Sequence, residues 1–110
     1  VTPFTIAGAV TQAGADVIDV AADKVRKINT VIISNVDGTN AADITVQVSV
    51  DNGSNYYAIA STVSVPADAT LVVIDKNSQI YLDETDLLKL TASADSDLEY
   101  VISGEILDDA

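Results

Sequence analysis

From Ile44 to Val50 the chain alternates without a break between apolar and polar side chains, with Ile44, Val46, Val48 and Val50 set against Thr45, Gln47 and Ser49. Successive side chains of a strand point to opposite faces, so this period of two predicts a β-strand with one buried face. The run ends in Asp51-Asn52-Gly53-Ser54, where Asn-Gly supplies the positive φ angles of a tight hairpin. Asn55-Tyr56-Tyr57-Ala58-Ile59 then resumes, and the two segments are expected to pair antiparallel.

The same grammar recurs along the chain. Residues 24–36 are too rich in Val and Ile for a comfortable helix, and they end in the turn cluster Asp37-Gly38-Thr39-Asn40, from which a second hairpin is expected. Residues 16–20 read as a short strand. Thr62 to Val65 stops at Pro66, which cannot donate to a central ladder. Residues 70–74 form a strand that Asp75-Lys76-Asn77-Ser78 is expected to turn into Gln79-Ile80-Tyr81-Leu82. After Asp83-Glu84-Thr85-Asp86, Leu88, Leu90 and Ala92 alternate with Lys89 and Thr91. Leu98, Tyr100, Ile102 and Ile106 keep even spacing through Gly104, where a bulge or a close backbone approach is expected.

About eight short strands separated by turn clusters predict an all-β fold, an antiparallel β-sandwich or jelly roll. The 110 residues suit one domain. Residues 16–110 are read as that domain, and residues 1–15 as an N-terminal arm with one short strand. Asp108-Asp109-Ala110 reads as a frayed, charged end. With one Phe, four Tyr and no Trp or Met, the core must be aliphatic.

Seventeen acidic side chains against five basic ones give a net charge of −12, which argues against nucleic acid and anionic membranes as partners. Lys24, Arg26 and Lys27 form the one basic cluster; it reads either as a solvated strand face or as a patch for an acidic protein partner. No Cys is present, so no disulfide or thiolate site can form. No apolar run reaches the ~20 residues of a membrane helix, the start does not read as a signal peptide, and the chain is expected to be soluble.

Catalytic chemistry finds little to work with. His and Cys, the commonest proton movers and nucleophiles, are both absent, and no Ser-x-x-Lys, Gly-x-Ser-x-Gly or phosphate-cradling glycine motif occurs. Acid pairs could in principle hydrolyse glycosides. Asp83, Glu84 and Asp86, and likewise Asp95 and Asp97, fall in turn clusters, where such acids are expected to ionise normally. Asp51-Asn52-Gly53-Ser54-Asn55 lacks the acidic spacing and closing Glu of a calcium loop. No enzyme activity, cofactor or metal is therefore expected. Adjacent strand residues face opposite ways, so only one of Tyr56 and Tyr57 can enter the core, and the other is a candidate anchor for a protein or a sugar. Phe4, in the segment Val1-Thr2-Pro3-Phe4, either folds back on its own core or docks on a neighbour.

The order of segments resembles small phage virion proteins of β-sandwich type. It comprises residues 27–36, the Ile44 to Val50 strand with its Asp51-Asn52-Gly53-Ser54 turn, and Val65-Pro66-Ala67 with Leu71-Val72-Val73-Ile74-Asp75. Ile80-Tyr81-Leu82-Asp83-Glu84-Thr85-Asp86, Leu88 to Ala94 and Leu98 to Ile106 resemble their closing half, so the likeness spans about residues 24–107. That resemblance implies a non-enzymatic structural protein, foremost a capsid cement or decoration protein on the virion's capsid surface, made in the host cytoplasm. It would bind the major capsid protein as a homo-oligomer, with a trimer favoured. A neck, tail or fibre component is the structural alternative, and a carbohydrate-binding, adhesin-like sandwich the alternative of another class. The interface would draw on Val1, Thr2, Pro3, Phe4, Lys24, Arg26, Lys27, Tyr56 and Tyr57.

Overall fold

The computed structural model describes residues 1–108, so 109 and 110 of the expected frayed end lie outside the described residues; Asp108 is the last residue of a strand. Nine strands follow in order: β1 Thr2–Ala9, β2 Ala15–Asp19, β3 Lys24–Asn35, β4 Ala42–Ser49, β5 Tyr57–Val65, β6 Thr70–Ile74, β7 Ile80–Leu82, β8 Leu87–Ala92 and β9 Leu98–Asp108. Every pairing is antiparallel, and the pairs nest: β4 with β5, β3 with β6 and β7, β2 with β8, β1 with β9. This is one long hairpin. Rolling it up lays β9 beside β3 and β8 beside β4, which closes one sheet in the order β1-β9-β3-β6, with β7 also on β3, and another in the order β2-β8-β4-β5. With β6 and β7 as one interrupted strand, the winding is that of an eight-stranded jelly roll.

The inward faces meet in an aliphatic core. Ile28, Val31 and Ile33 of β3 and Leu98 and Ile102 of β9 face Ile44 and Val46 of β4 and Leu88 and Leu90 of β8, each at most 1% exposed. Burying each such side chain contributes about 1.5–3 kcal/mol. Ile28 and Val31 both point inward although three positions apart, because the β3–β9 register shifts between Ile28 and Thr30 and makes Asn29 the extra, bulged residue. Gly104 lies opposite Ile28 there, and a Cβ built on it would sit 1.9 Å from the Lys27 carbonyl oxygen. The close backbone approach expected at Gly104 is thus present.

Three expectations about connectivity need correction. The turn at Asp37-Gly38-Thr39-Asn40 does not close a hairpin: β3 and β4 belong to different sheets, and the chain crosses the sandwich between them. Asp75-Lys76-Asn77-Ser78 does not reverse the chain either, since β6 and β7 both run antiparallel to β3 and so follow one another along its edge. The β4–β5 hairpin exists, with Asn52 and Gly53 at φ 58° and 89°, but its ladder ends at Val48 and Tyr57, leaving a longer loop than a two-residue turn. At the other end, the whole of β1 pairs with β9, from Thr2 opposite Ile106 to Ala9 opposite Glu99. Val10 behind it joins the core.

Candidate interaction surface

Most of the acidic groups with assigned partners hold the backbone of turns. The Asp51 carboxylate accepts from the Asn55 N–H (2.9 Å) and Nδ2 (2.8 Å) and from the Ser49 hydroxyl (2.9 Å). These bonds, led by that from the Asn55 side chain, hold its pKa below the usual carboxylate value. Asp86 is buried and accepts from the Asp83 N–H at 2.8 Å, Glu84 accepts from the Asp23 N–H at 3.0 Å, and Asp95 accepts from the Gln12 N–H at 2.7 Å. Asp75 accepts from the Asn77 N–H at 2.8 Å. Asp51, Asp75 and Asp86 bond the backbone of their own turns in this way, whereas Glu84 and Asp95 tie together loops far apart in sequence.

One acid pair is shifted in opposite directions: Asp37, in the β3–β4 crossing, and Asp97, in the β8–β9 crossing, whose carboxyl groups act on one another. The Thr39 and Asn40 N–H groups pull the Asp37 pKa down (2.8 and 3.1 Å), while desolvation and then the Asp37 contact push the Asp97 pKa up. Asp97 thus departs upward from the normal ionisation expected of a turn acid. Its partner lies sixty residues away, and no local pattern announces it. Among the described residues no three carboxylates converge as a metal site would require.

The basic cluster is not one patch. Lys24 pairs with Asp108, Lys27 lies 3.9 Å from Glu105, and the Arg26 guanidinium sits 4.6 Å above the Phe4 ring. Each cation thus has a partner within its own sheet. Phe4 is half-buried and packs on the core, so of its two readings the structure holds the fold-back one. Val1, Thr2 and Pro3 are exposed, Val1 by 80%.

Neither tyrosine of the pair enters the core, contrary to the expectation that one would. Tyr56 stands over the outer face of the β2-β8-β4-β5 sheet, with Lys89 Nζ 5.0 Å from its ring and its hydroxyl donating to Asp16 at 2.9 Å. That hydrogen bond raises the phenol pKa, with desolvation and the Asp16 and Asp51 charges adding to it. Tyr57 projects from the start of edge strand β5 and is 63% exposed.

Other exposed apolar side chains gather in two places that reading by motif passes over. Val50, Tyr57, Ile59 and Val63 line β5 and its approach. Val101 and Val72 join Ala7 and Ile32 in one cross-strand row on the outer face of the β1-β9-β3-β6 sheet. The signal that marks β5 is the absence of charge: residues 52–67 contain no Asp, Glu, Lys or Arg.

No protein-family model matches the chain, and no curated protein matches it. Two similar solved structures are each described as a pentameric capsid protein from metagenomic phage sequences. Both are 14% identical to this chain, with TM-scores of 0.44 and 0.42. Each match covers 94% of this chain but only 60% and 64% of those proteins, so the chain spans less than two thirds of their length.

Proposed function

We propose that this chain is a non-enzymatic structural component of a phage virion, a cement or decoration protein that binds and stabilises the major capsid protein shell. One observation carries the reading. Many of the acids with assigned partners hold the backbone of turns and loops, while exposed apolar side chains lie on strand faces and edges, which favours a surface for packing against protein. The strand-and-turn order resembling phage virion proteins agrees with it. Binding would use the exposed Val1, Thr2 and Pro3, together with Tyr57, in a homo-oligomer such as a trimer. Quantitative mass spectrometry of purified particles tests the proposal. A copy number comparable with that of the major capsid protein is expected, and absence from the particle refutes it. A few copies per particle would move the chain to the neck, tail or fibres.

A further inference from the structure

Charge is distributed unevenly along this chain. Residues 1–15 and 52–67 are its two longest stretches without a charged side chain, although one residue in five is charged overall. The first holds β1 and the second holds β5. β1 is the edge of one sheet, and β5 is the edge of the other, packed beside β6 on the opposite side of the roll. Both uncharged stretches thus run along free sheet edges, on opposite sides of the molecule. Edges in soluble proteins are commonly protected by charges, and a chain of charge −12 has acids to spare.

The two edges differ in shape. β5 carries bulky exposed side chains, Tyr57 (63%), Ile59 (39%) and Val63 (37%). The exposed residues of β1 include Ala7 and Ala9, and beside them the outer face sinks into a shallow hollow of about 350 Å³, bounded also by Ser34, Glu99 and Val101. β2, on the same side as β1, carries Asp16 and Asp19, so contact there would run through β1 and the hollow.

We infer that copies of this chain associate head to tail, the β5 edge of one copy packing its apolar side chains into the hollow beside β1 of the next. The proposal rests on reading the chain as an assembly component and names the partner of that surface as a second copy. Charge selects the occupant: at 0.15 M salt, where charges act over about 8 Å, these are the edges two copies can bring together with few like charges facing. Eight residues of β1 span about 27 Å, a length along which the β5 edge of the next copy can lie. Contacts between unlike surfaces form a ring when the rotation closes.

Mixing two edge variants tests this. Tyr57→Glu blocks the β5 side and leaves the hollow; Ala7→Glu blocks the hollow and leaves β5. By light scattering coupled to gel filtration, the wild type is expected as an oligomer and each variant alone as an 11.4 kDa monomer. Their equimolar mixture is expected to give a dimer of twice that mass, through the one intact interface. A monomeric wild type, a mixture that stays monomeric, or dimers formed by Ala7→Glu alone would each overturn the inference. Circular dichroism melting confirms that the variants fold, with Ile59→Glu as a second β5 variant. Failure here leaves the particle copy number untouched, so the two proposals fall separately.

Discussion

Gly104→Ala adds one methyl group where β3 and β9 come closest. The new Cβ would meet the Lys27 carbonyl oxygen at 1.9 Å, its carbon at 3.0 Å and the Ile28 Cα at 3.2 Å. Carbon–oxygen contacts between strands normally run to about 3.3–3.6 Å, so the two backbones must part by roughly 1.5 Å. All three atoms are backbone, and no rotamer change relieves them. Ile28, fully buried opposite Gly104, would be drawn from the core with its strand. Overpacking a well-filled site costs about 1–3 kcal/mol, and a clash with backbone belongs at or beyond the top of that range. The stiffer unfolded chain returns only about 0.4–1 kcal/mol. A net loss of about 3 kcal/mol, from a total of roughly 5–15, would lower Tm by roughly 10–15 °C in a domain of this size. Gly38→Ala makes the same chemical change where the nearest atom is the Asp68 carboxylate at 3.6 Å, and should fall within about 1 kcal/mol of wild type. Urea denaturation followed by circular dichroism compares the two. Equal stabilities would refute the argument from close approach.

Asn35, 4% exposed, donates from Nδ2 to the Asn40 and Val65 carbonyls and accepts from the Asp37 N–H, each at 2.9 Å. Asn35→Ala leaves three groups without these partners and should cost roughly 2–4 kcal/mol by urea denaturation. Asn35→Asp should cost more at neutral pH, since a carboxylate cannot donate to either carbonyl, and should recover part of the loss as acid protonates it. For Asp97 the sign follows from its raised pKa: its contribution to stability is fully present below the unfolded carboxylate pKa and is lost as pH rises through the folded value. Asp97→Asn keeps a donor beside Asp37 without the second charge, so it should melt higher than wild type at pH 7, with the gap closing as pH falls into the carboxylate range. A gap that widens in acid would contradict a raised Asp97 pKa.

What the sequence reveals here is face and turn. The alternation of Ile44 and Val46 with Thr45 and Gln47 sorts buried from half-buried side chains correctly, and Leu88, Leu90 and Ala92 do the same in β8. The alternation fails at the end of the run: Val48 is only half-buried, Ser49 from the polar side of the pattern is fully buried, and Val50 is 66% exposed beyond the end of β4. The sheet to which a strand belongs is not legible, because Asp37-Gly38-Thr39-Asn40 serves a crossing between sheets with residues that would equally suit a hairpin. β1 shows why an eight-residue strand can pass for an arm. Its alternation of Phe4, Ile6 and Gly8 with Thr5, Ala7 and Ala9 sets small residues against apolar ones, a weak contrast, and its partner β9 lies at the far end of the chain. The Asp37–Asp97 contact is hidden by the same distance in sequence.

The placement of charge also bears on how such edges avoid uncontrolled pairing. An uncharged edge strand with exposed Tyr, Ile and Val is ordinarily an aggregation hazard. β5 is not a flat template, because its register against β4 shifts twice, between Ile44 and Val46 and between Val46 and Gln47. Thr62 stands at φ 46°, costly for a β-branched residue, and its N–H donates to the Thr45 hydroxyl at 3.0 Å. A kinked edge cannot extend a continuous ladder into a neighbour, so what it offers is side chains at fixed positions. The bulges thus suppress strand-to-strand pairing, which any extended chain could satisfy. Side-chain packing remains, and that demands a complementary hollow.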